Sequence, residues 1–277
     1  MSDVTVSALT SKNGMNLALV NFASPDHDPD DMWSAIYQEI NEEWDSIFSM
    51  QAWLTNLTLT DGGDIIACDM DGRLIHIKSG QETVMPLSIS GGLEDLWWSE
   101  HSGLIAVSSK GERVHIKGEQ VTVYADPKER ALYKILGITE HEVYAVGAEG
   151  VIWFYDGSAW QELDSGTNVT LMALWKGPTG LYVGGVEGVL FLLTPQTNTP
   201  ISIDDPIDIS SLWEFDGDLY AAAGVNGVWK LDGDVLVQEK QVQVQRLCAA
   251  PDKLIASGSN GIIEFDGSGW SLSEIEG

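Results

Sequence analysis

A regular internal repeat constrains this chain more than any other feature. The turn glycines Gly72, Gly111, Gly150, Gly188, Gly227 and Gly261 close segments of like pattern, spaced 39, 39, 38, 39 and 34 residues apart. A period this even means one supersecondary unit per repeat. The unit reads as four short strands. In the fifth of these segments they are Ile209–Phe215, Leu219–Ala223, Gly227–Leu231 and Val235–Glu239, joined by Asp216-Gly217-Asp218, Gly224-Val225-Asn226 and Asp232-Gly233-Asp234. Gly, Asp and Asn supply the positive φ that tight hairpins require. The third strand alternates with period two, which marks strand and not helix. Ile75, Val114, Trp153, Phe191, Trp229 and Ile263 share a face with Ile77, Ile116, Tyr155, Leu193, Leu231 and Phe265. His76, His115, Phe154, Leu192, Lys230 and Glu264 lie between them.

The N-terminal stretch supplies one more unit, since Val4–Leu9 resembles Val169–Leu174 and Met15–Phe22 matches a second strand. It is about ten residues longer than the period, in the acidic loop Ala23–Asp31 and around Gln38–Glu43. Two readings compete for its second half. Met32–Tyr37 and Trp44–Phe48 form strands, or Asp30–Phe48 is an amphipathic helix capped by Asp30. Seven four-stranded units predict an all-β, seven-bladed β-propeller of antiparallel blades, a single domain over 1–277. The blades fall near 1–50, 51–88, 89–127, 128–165, 166–205, 206–241 and 242–277. The ring closes by packing the first blade on the last, with no strand exchanged. The alternative, an open solenoid, needs polar capping repeats.

The segment Glu142–Trp160 resembles the VYAVG-x-x-G-x-I-x-x-YDG-x-x-W repeats of bacterial β-propeller proteins, and Asp266-Gly-Ser-Gly-Trp270 echoes its ending. The first three blades lack the Asp-Gly-x-x-Trp ending. The sequence shows neither the WD40 signature nor the regular Gly-Gly of kelch blades. Propellers of this kind resemble binding scaffolds more than enzymes, and some small intracellular ones look like immunity proteins encoded beside secreted toxins. The resemblance therefore implies a non-catalytic binding protein without a cofactor.

Motifs for chemistry do not intervene. No Gly-x-Ser-x-Gly, P-loop, Gly-x-Gly-x-x-Gly or His-Glu-x-x-His occurs. His76 and His115 occupy equivalent positions in adjacent blades, too far apart for one metal ion. Asp26–Asp31 and Asp69–Gly72 lack the glycine and glutamate of a calcium loop. Cys68 and Cys248 are too few for a disulfide framework and read as free core residues.

Charge is the remaining clue. The 14 Lys and Arg against 42 Asp and Glu give a net charge of −28. That excludes a large nucleic-acid footprint and an anionic membrane surface as partners. It also disfavours self-association, so the chain is expected to be a monomer when free. The N-terminus lacks a basic region followed by an apolar run, so a cytoplasmic location is expected. One propeller face carries the turns between strands two and three and the links from strand four to the next blade. It would collect Asp26, Asp28, Asp30, Asp31, Asp69, Asp71, Glu149 and Glu187 from the turns, and Asp164, Asp204, Asp205 and Asp208 from the links. Lys110, Lys128 and Arg130 oppose them. Among the eleven tryptophans, Trp97 or Trp98 is a candidate aromatic anchor inside that rim. The sequence thus predicts a docking face for a basic protein partner, of the secreted toxin or nuclease class, blocked by occlusion. A scaffold or adaptor is one alternative. A carboxylate-dependent enzyme or a small-ligand binder is another, and it needs polar groups converging from several first strands on the central channel.

Overall fold

A computed structural model describes residues 3–23, 32–203, 206–258 and 261–274. They form seven antiparallel sheets, each a meander of four consecutive strands, arranged as a β-propeller. Strand one of each blade faces the central axis and strand four lies outside. In the sixth blade the strands are Ser211–Phe215, Asp218–Ala222, Val228–Asp232 and Val235–Lys240. Strand one begins two residues later than the sequence pattern suggests. Ile209 is still in the link, where its N–H donates to Gly185 O of the fifth blade at 2.9 Å.

Both faces of each sheet are buried, and period-two alternation is the reason. In the second blade Ala67, Ile75 and Ile77 pack toward Leu17, Leu19 and Ile36 of the first. The intervening Cys68 and Leu74 pack toward Leu93, Leu96, Leu104 and Ala106 of the third. The outer strand Gln81–Pro86 is exposed throughout. Apolar area is thus removed from water at every blade junction, at about 25 cal/mol per Å2.

Residues 33–50 are strands, Trp33–Ile40 and Glu43–Met50, and the helical reading is set aside. Ala35 and Tyr37 pack toward the seventh blade while Ile36 packs toward the second. A helix would have placed adjacent residues about 100° apart, not on opposite faces.

The ring closes without strand exchange, as the sequence predicts, and no solenoid end is left open. Val6, Ala18, Val20 and Phe22 of the first blade pack on Cys248, Ala250, Ile255 and Ile262 of the seventh. A buried ion triad joins them. Lys253 Nζ lies 2.5 Å from Glu39 and 3.0 Å from Glu264, with the three side chains 10–16% exposed. Burial alone would lower the ammonium pKa, but the two carboxylates outweigh it and raise it. One feature departs from the simple repeat. Ser202–Ile203, in the stretch assigned by pattern to the fifth blade, runs parallel to Val235–Lys240 and adds a fifth strand to the sixth.

Within the fourth blade, the end of the second strand lies tight against the residue that leads into the first. Ala148 N–H donates to Ala131 O at 2.8 Å, and a Cβ on Gly147 would lie 1.9 Å from that same oxygen. The obstacle is backbone, so it cannot rotate away. Gly147→Ala is expected to destabilise the fold by about 1–3 kcal/mol, the usual cost of overpacking. Denaturant unfolding at unchanged m-value would register it, and an unshifted midpoint would contradict this packing.

Candidate functional site

The face that gathers the strand two–three turns and the interblade links is built from tight, hydrogen-bonded elements. In the fourth blade Glu149 (φ 54°) and Gly150 (φ 69°) form a two-residue turn, with Val151 N–H donating to Ala148 O at 3.1 Å. In the fifth, Glu187 (φ 57°) and Gly188 (φ 75°) do the same, closed by Val189 N–H on Val186 O at 3.2 Å. Both turns suit the twist of antiparallel strands. In the second blade the Asp69 carboxylate organises the turn. It accepts the N–H groups of Asp71 and Arg73 at 3.0 and 2.8 Å and the Arg73 Nε at 2.6 Å. In the third blade the equivalent Ser108 accepts from Lys110 and Glu112 N–H and donates to Glu112 Oε2 at 2.6 Å.

These elements sort the candidate acids. Glu149, Asp164, Glu187 and Asp208 are exposed on this face, and Asp208 also accepts the Glu187 N–H at 2.9 Å. Asp71 is exposed but paired with Arg73 at 2.8 Å. The Asp69 side chain is 1% exposed and spent inside its turn, so it is structural. Asp26, Asp28, Asp30, Asp31, Asp204 and Asp205 lie outside the described residues. The opposite face is acidic too, with Asp61, Glu119, Asp216, Asp232 and Asp252 all exposed on its turns. Net charge alone therefore does not select a face.

Trp97 and Trp98 are not inside the acidic rim. Their strand, Leu93–Ser99, starts at the loop face, and four residues of strand carry them about 13 Å toward the other end. They point to opposite sides. Trp97 packs toward the fourth blade against Gly137, whereas Trp98 packs toward the second, with Lys12 Nζ 5.0 Å from its ring centre.

A buried ionic and aromatic cluster lies between the third and fourth blades, and the sequence pattern did not reveal it. Arg130, expected among the surface cations, has a side chain only 5% exposed. Its Nε bonds Asp126 at 2.7 Å and its Nη atoms clasp Glu162 at 2.7 and 3.0 Å. Burial would raise the Asp126 carboxyl pKa, but the Arg130 bonds bring it below the ordinary value. Arg113 stacks 3.9 Å from the Trp153 ring centre, and burial lowers its pKa to about 10. The only advance signal was the i, i+4 spacing of Asp126 and Arg130. Removing Arg130 strands a buried carboxylate. Arg130→Met should cost about 3–5 kcal/mol in unfolding free energy, against under 1 kcal/mol for Lys128→Met on the exposed link.

Beside this cluster, His115 accepts the Trp160 indole N–H on Nε2 at 3.0 Å, which fixes it as the neutral Nδ1–H tautomer. Burial, aided by Arg113, lowers its pKa to about 4. The unfolded chain binds this proton near pH 6.5, so His115 removes stability as the pH falls from about 6.5 to about 4 and has no effect above. Wild type minus His115→Gln, measured by chemical unfolding, should show that slope. Parallel curves across the window would refute it. His76 sits in different surroundings, 3.1 Å from Asp64.

The central channel carries a second differentiated set of residues. In five blades the register of strand one shifts at the equivalent place, leaving Ser7, Thr55, Glu94, Tyr133 and Met172 as extra residues. Such β-bulges re-aim side chains. All five line a cavity of about 260 Å3, joined by Ser210, Ser211, Gln245 and Arg246 from the last two blades. Next to the ring, Asp95 is buried and accepts from Asn56 Nδ2, Leu96 N–H and Ile135 N–H, and pairs with Lys134 at 2.9 Å. Cys68 and Cys248 are fully buried, and burial pushes the Cys248 thiol up to about 12. Among the described residues, no three His, Cys, Asp or Glu side chains gather as a metal site.

The sequence matches no protein-family model. It is similar to the immune protein Tsi7 of Pseudomonas aeruginosa, with 34% identity over 144 residues. That match covers 49% of this chain and 46% of Tsi7, so the chain spans about half the length of this relative. The fold is similar to the WD40 β-propeller domain of Doa1, with a TM-score of 0.72 and 10% identity over 98% of this chain and 94% of that one. Sqt1 of Saccharomyces cerevisiae is also similar, with a TM-score of 0.68 and 13% identity over 98% and 85% of the two chains. At these identities the solved structures establish the propeller fold.

Proposed function

We propose that this propeller is a non-catalytic, immunity-type inhibitor that neutralises a basic protein toxin by covering its working surface. The observation that carries this reading is the 34% identity to the immune protein Tsi7 over 144 residues. The chemistry of the chain supports it. A net charge of −28 accelerates encounter with a basic surface and disfavours wrong partners, at ordinary ionic strength over a range of about 8 Å. Occlusion requires a rigid, pre-formed face, and the hydrogen-bonded turns supply one. In this reading the protein acts in the cytoplasm, free as a monomer and without a cofactor.

We take the loop face as the contact because Glu149 and Glu187 stand at equivalent turn tips of adjacent blades, whereas Glu42 and Asp216, with the same left-handed backbone, sit at unlike turns of the opposite face. Both tips hold left-handed backbone, where a residue with a side chain pays roughly 1–2 kcal/mol and Asn or Gly pays less. A strained acid at two equivalent turn tips is consistent with a functional use of the carboxylate.

The test compares the two ends of the propeller. A tagged chain recovers its partner from nuclease-treated native lysate of its source cells at low salt, and the partner is basic and weakened at high salt. Glu149→Lys, Glu187→Lys and Asp208→Lys together should slow association at least tenfold and abolish inhibition. Asp232→Lys, Asp234→Lys and Asp252→Lys, on the opposite face, should change both by less than threefold. The reverse ranking would move the contact to the opposite face. A stoichiometric partner whose activity the protein leaves intact would overturn the immunity reading. The conservative variants Glu149→Asn and Glu187→Asn should raise stability slightly while weakening inhibition.

A further inference from the structure

We propose that the axial cavity is a binding site for a small zwitterion of the free α-amino-acid class, its carboxylate on Arg246 and its ammonium on Glu94. The cavity lies at the loop-face end of the channel and draws lining residues from all seven blades. At about 260 Å3 it is just below the roughly 300–1,000 Å3 of drug-sized sites. A metabolite of a few heavy atoms fits; a polypeptide segment does not.

The charges in this cavity are unusual in being unspent. Arg246 is held rigidly by neutral acceptors. Its Nε donates to Ser7 O at 3.1 Å, and its Nη1 donates to Gln245 O at 3.3 Å and Ser210 O at 3.4 Å. Among the described residues Nη2 has no hydrogen-bond partner, and no carboxylate lies within 4 Å of the guanidinium. In a chain with three acids for each base, a half-buried arginine without a counter-ion is conspicuous. Glu94 mirrors it. Its half-buried carboxylate has no hydrogen-bond partner and no ion pair within 4 Å among the described residues. The nearby Lys134 is already committed to Asp95. Burial raises the Glu94 carboxyl pKa, Arg246 partly offsets this, and burial lowers that of Arg246. The two charges therefore feel each other without touching.

Two desolvated opposite charges held apart are costly unless something bridges them. A carboxylate suits the free edge of a guanidinium, and an ammonium suits a bare carboxylate. A molecule that carries both groups, and is small enough for the cavity that both residues line, satisfies the pair with no net charge. The remaining ring members complete the fit. Thr55, Ser210 and Ser211 offer hydroxyls, and Tyr133 and Met172 offer surface to a short side chain. The repeat gives these positions equivalent backbone, so their chemical difference is a property of this ring and not of the fold. The site is independent of the inhibitor reading, although a ligand there would lie beneath the docking face.

The test is calorimetric titration and thermal unfolding of the full chain with each free proteinogenic L-α-amino acid, with acetate and methylammonium as single-charge probes. At least one small amino acid, such as serine or alanine, should bind and raise the melting temperature, and should bind at least tenfold more tightly than either single-charge probe. Glu94→Gln and Arg246→Gln should each weaken that binding at least tenfold. Since Arg246 also ties the seventh blade to the first, Arg246→Lys serves where Arg246→Gln does not fold. It keeps the charge, loses the free second edge, and should weaken binding likewise. Binding of acetate as tight as that of any amino acid, binding undiminished in Glu94→Gln and Arg246→Lys, or no amino-acid binding to the wild type would each overturn the proposal.

Discussion

Everything in this molecule depends on sheets burying both of their faces against neighbours. A four-stranded sheet of this size has too little surface to hide alone, and seven of them solve the problem by packing radially. The last junction is the critical one, because it turns a stack into a ring. Here it is made by side chains alone, with Phe22 and Val20 on one side, Ile255 and Ile262 on the other, and the Glu39–Lys253–Glu264 triad alongside. The hydrophobic term is non-directional, whereas the triad has a fixed geometry. Together they explain how a closure without shared strands can still be specific.

Radial packing fixes what each blade end can do. First strands converge on an axis, so bulged residues from distant parts of the sequence become neighbours. The turns and links lie on the two faces, where polar groups meet water. Interblade hydrogen bonds such as Gly188 N–H to Ile207 O and Val244 N–H to Gly224 O then tie a turn to the link that enters the next blade. Such a face is stiff, which suits recognition by complementarity and not by induced folding. In the proposed reading its acidic side chains attract a basic partner at long range. The Arg130–Asp126 pair is buried and spent within the protein, while Glu162, which also clasps Arg130, stays exposed.

The architecture was legible in the sequence because a period of about 39 residues and a period of two are both local, repeated signals. The irregular first blade did not follow from them alone, since Asp30–Phe48 also admitted a helix, and the burial of Ile36 on one face with Ala35 and Tyr37 on the other decided for strands. The site was less legible. Asp69 and Asp71 are two residues apart and look alike, yet one closes a turn from within and the other is exposed. Arg130 reads as a surface cation but is buried. Trp97 and Trp98 read as a pair but serve opposite junctions, far from the loops. In each case burial depends on how far along a strand the residue lies and which blade covers it, and neither is encoded nearby.

What the sequence alone determined is the repeated four-stranded unit, its count of seven, its closure without strand exchange and its acidic character. These rest on alternation, turn chemistry and charge, which neighbours in the chain define. The tertiary structure decided which charges are exposed, which are paired, and which stand unpaired in the channel. The meeting of Glu94 with Arg246, 152 residues apart in the chain, is the plainest case. Only the geometry of a closed ring brings such positions around one axis, because the distance between them is set by seven junctions at once.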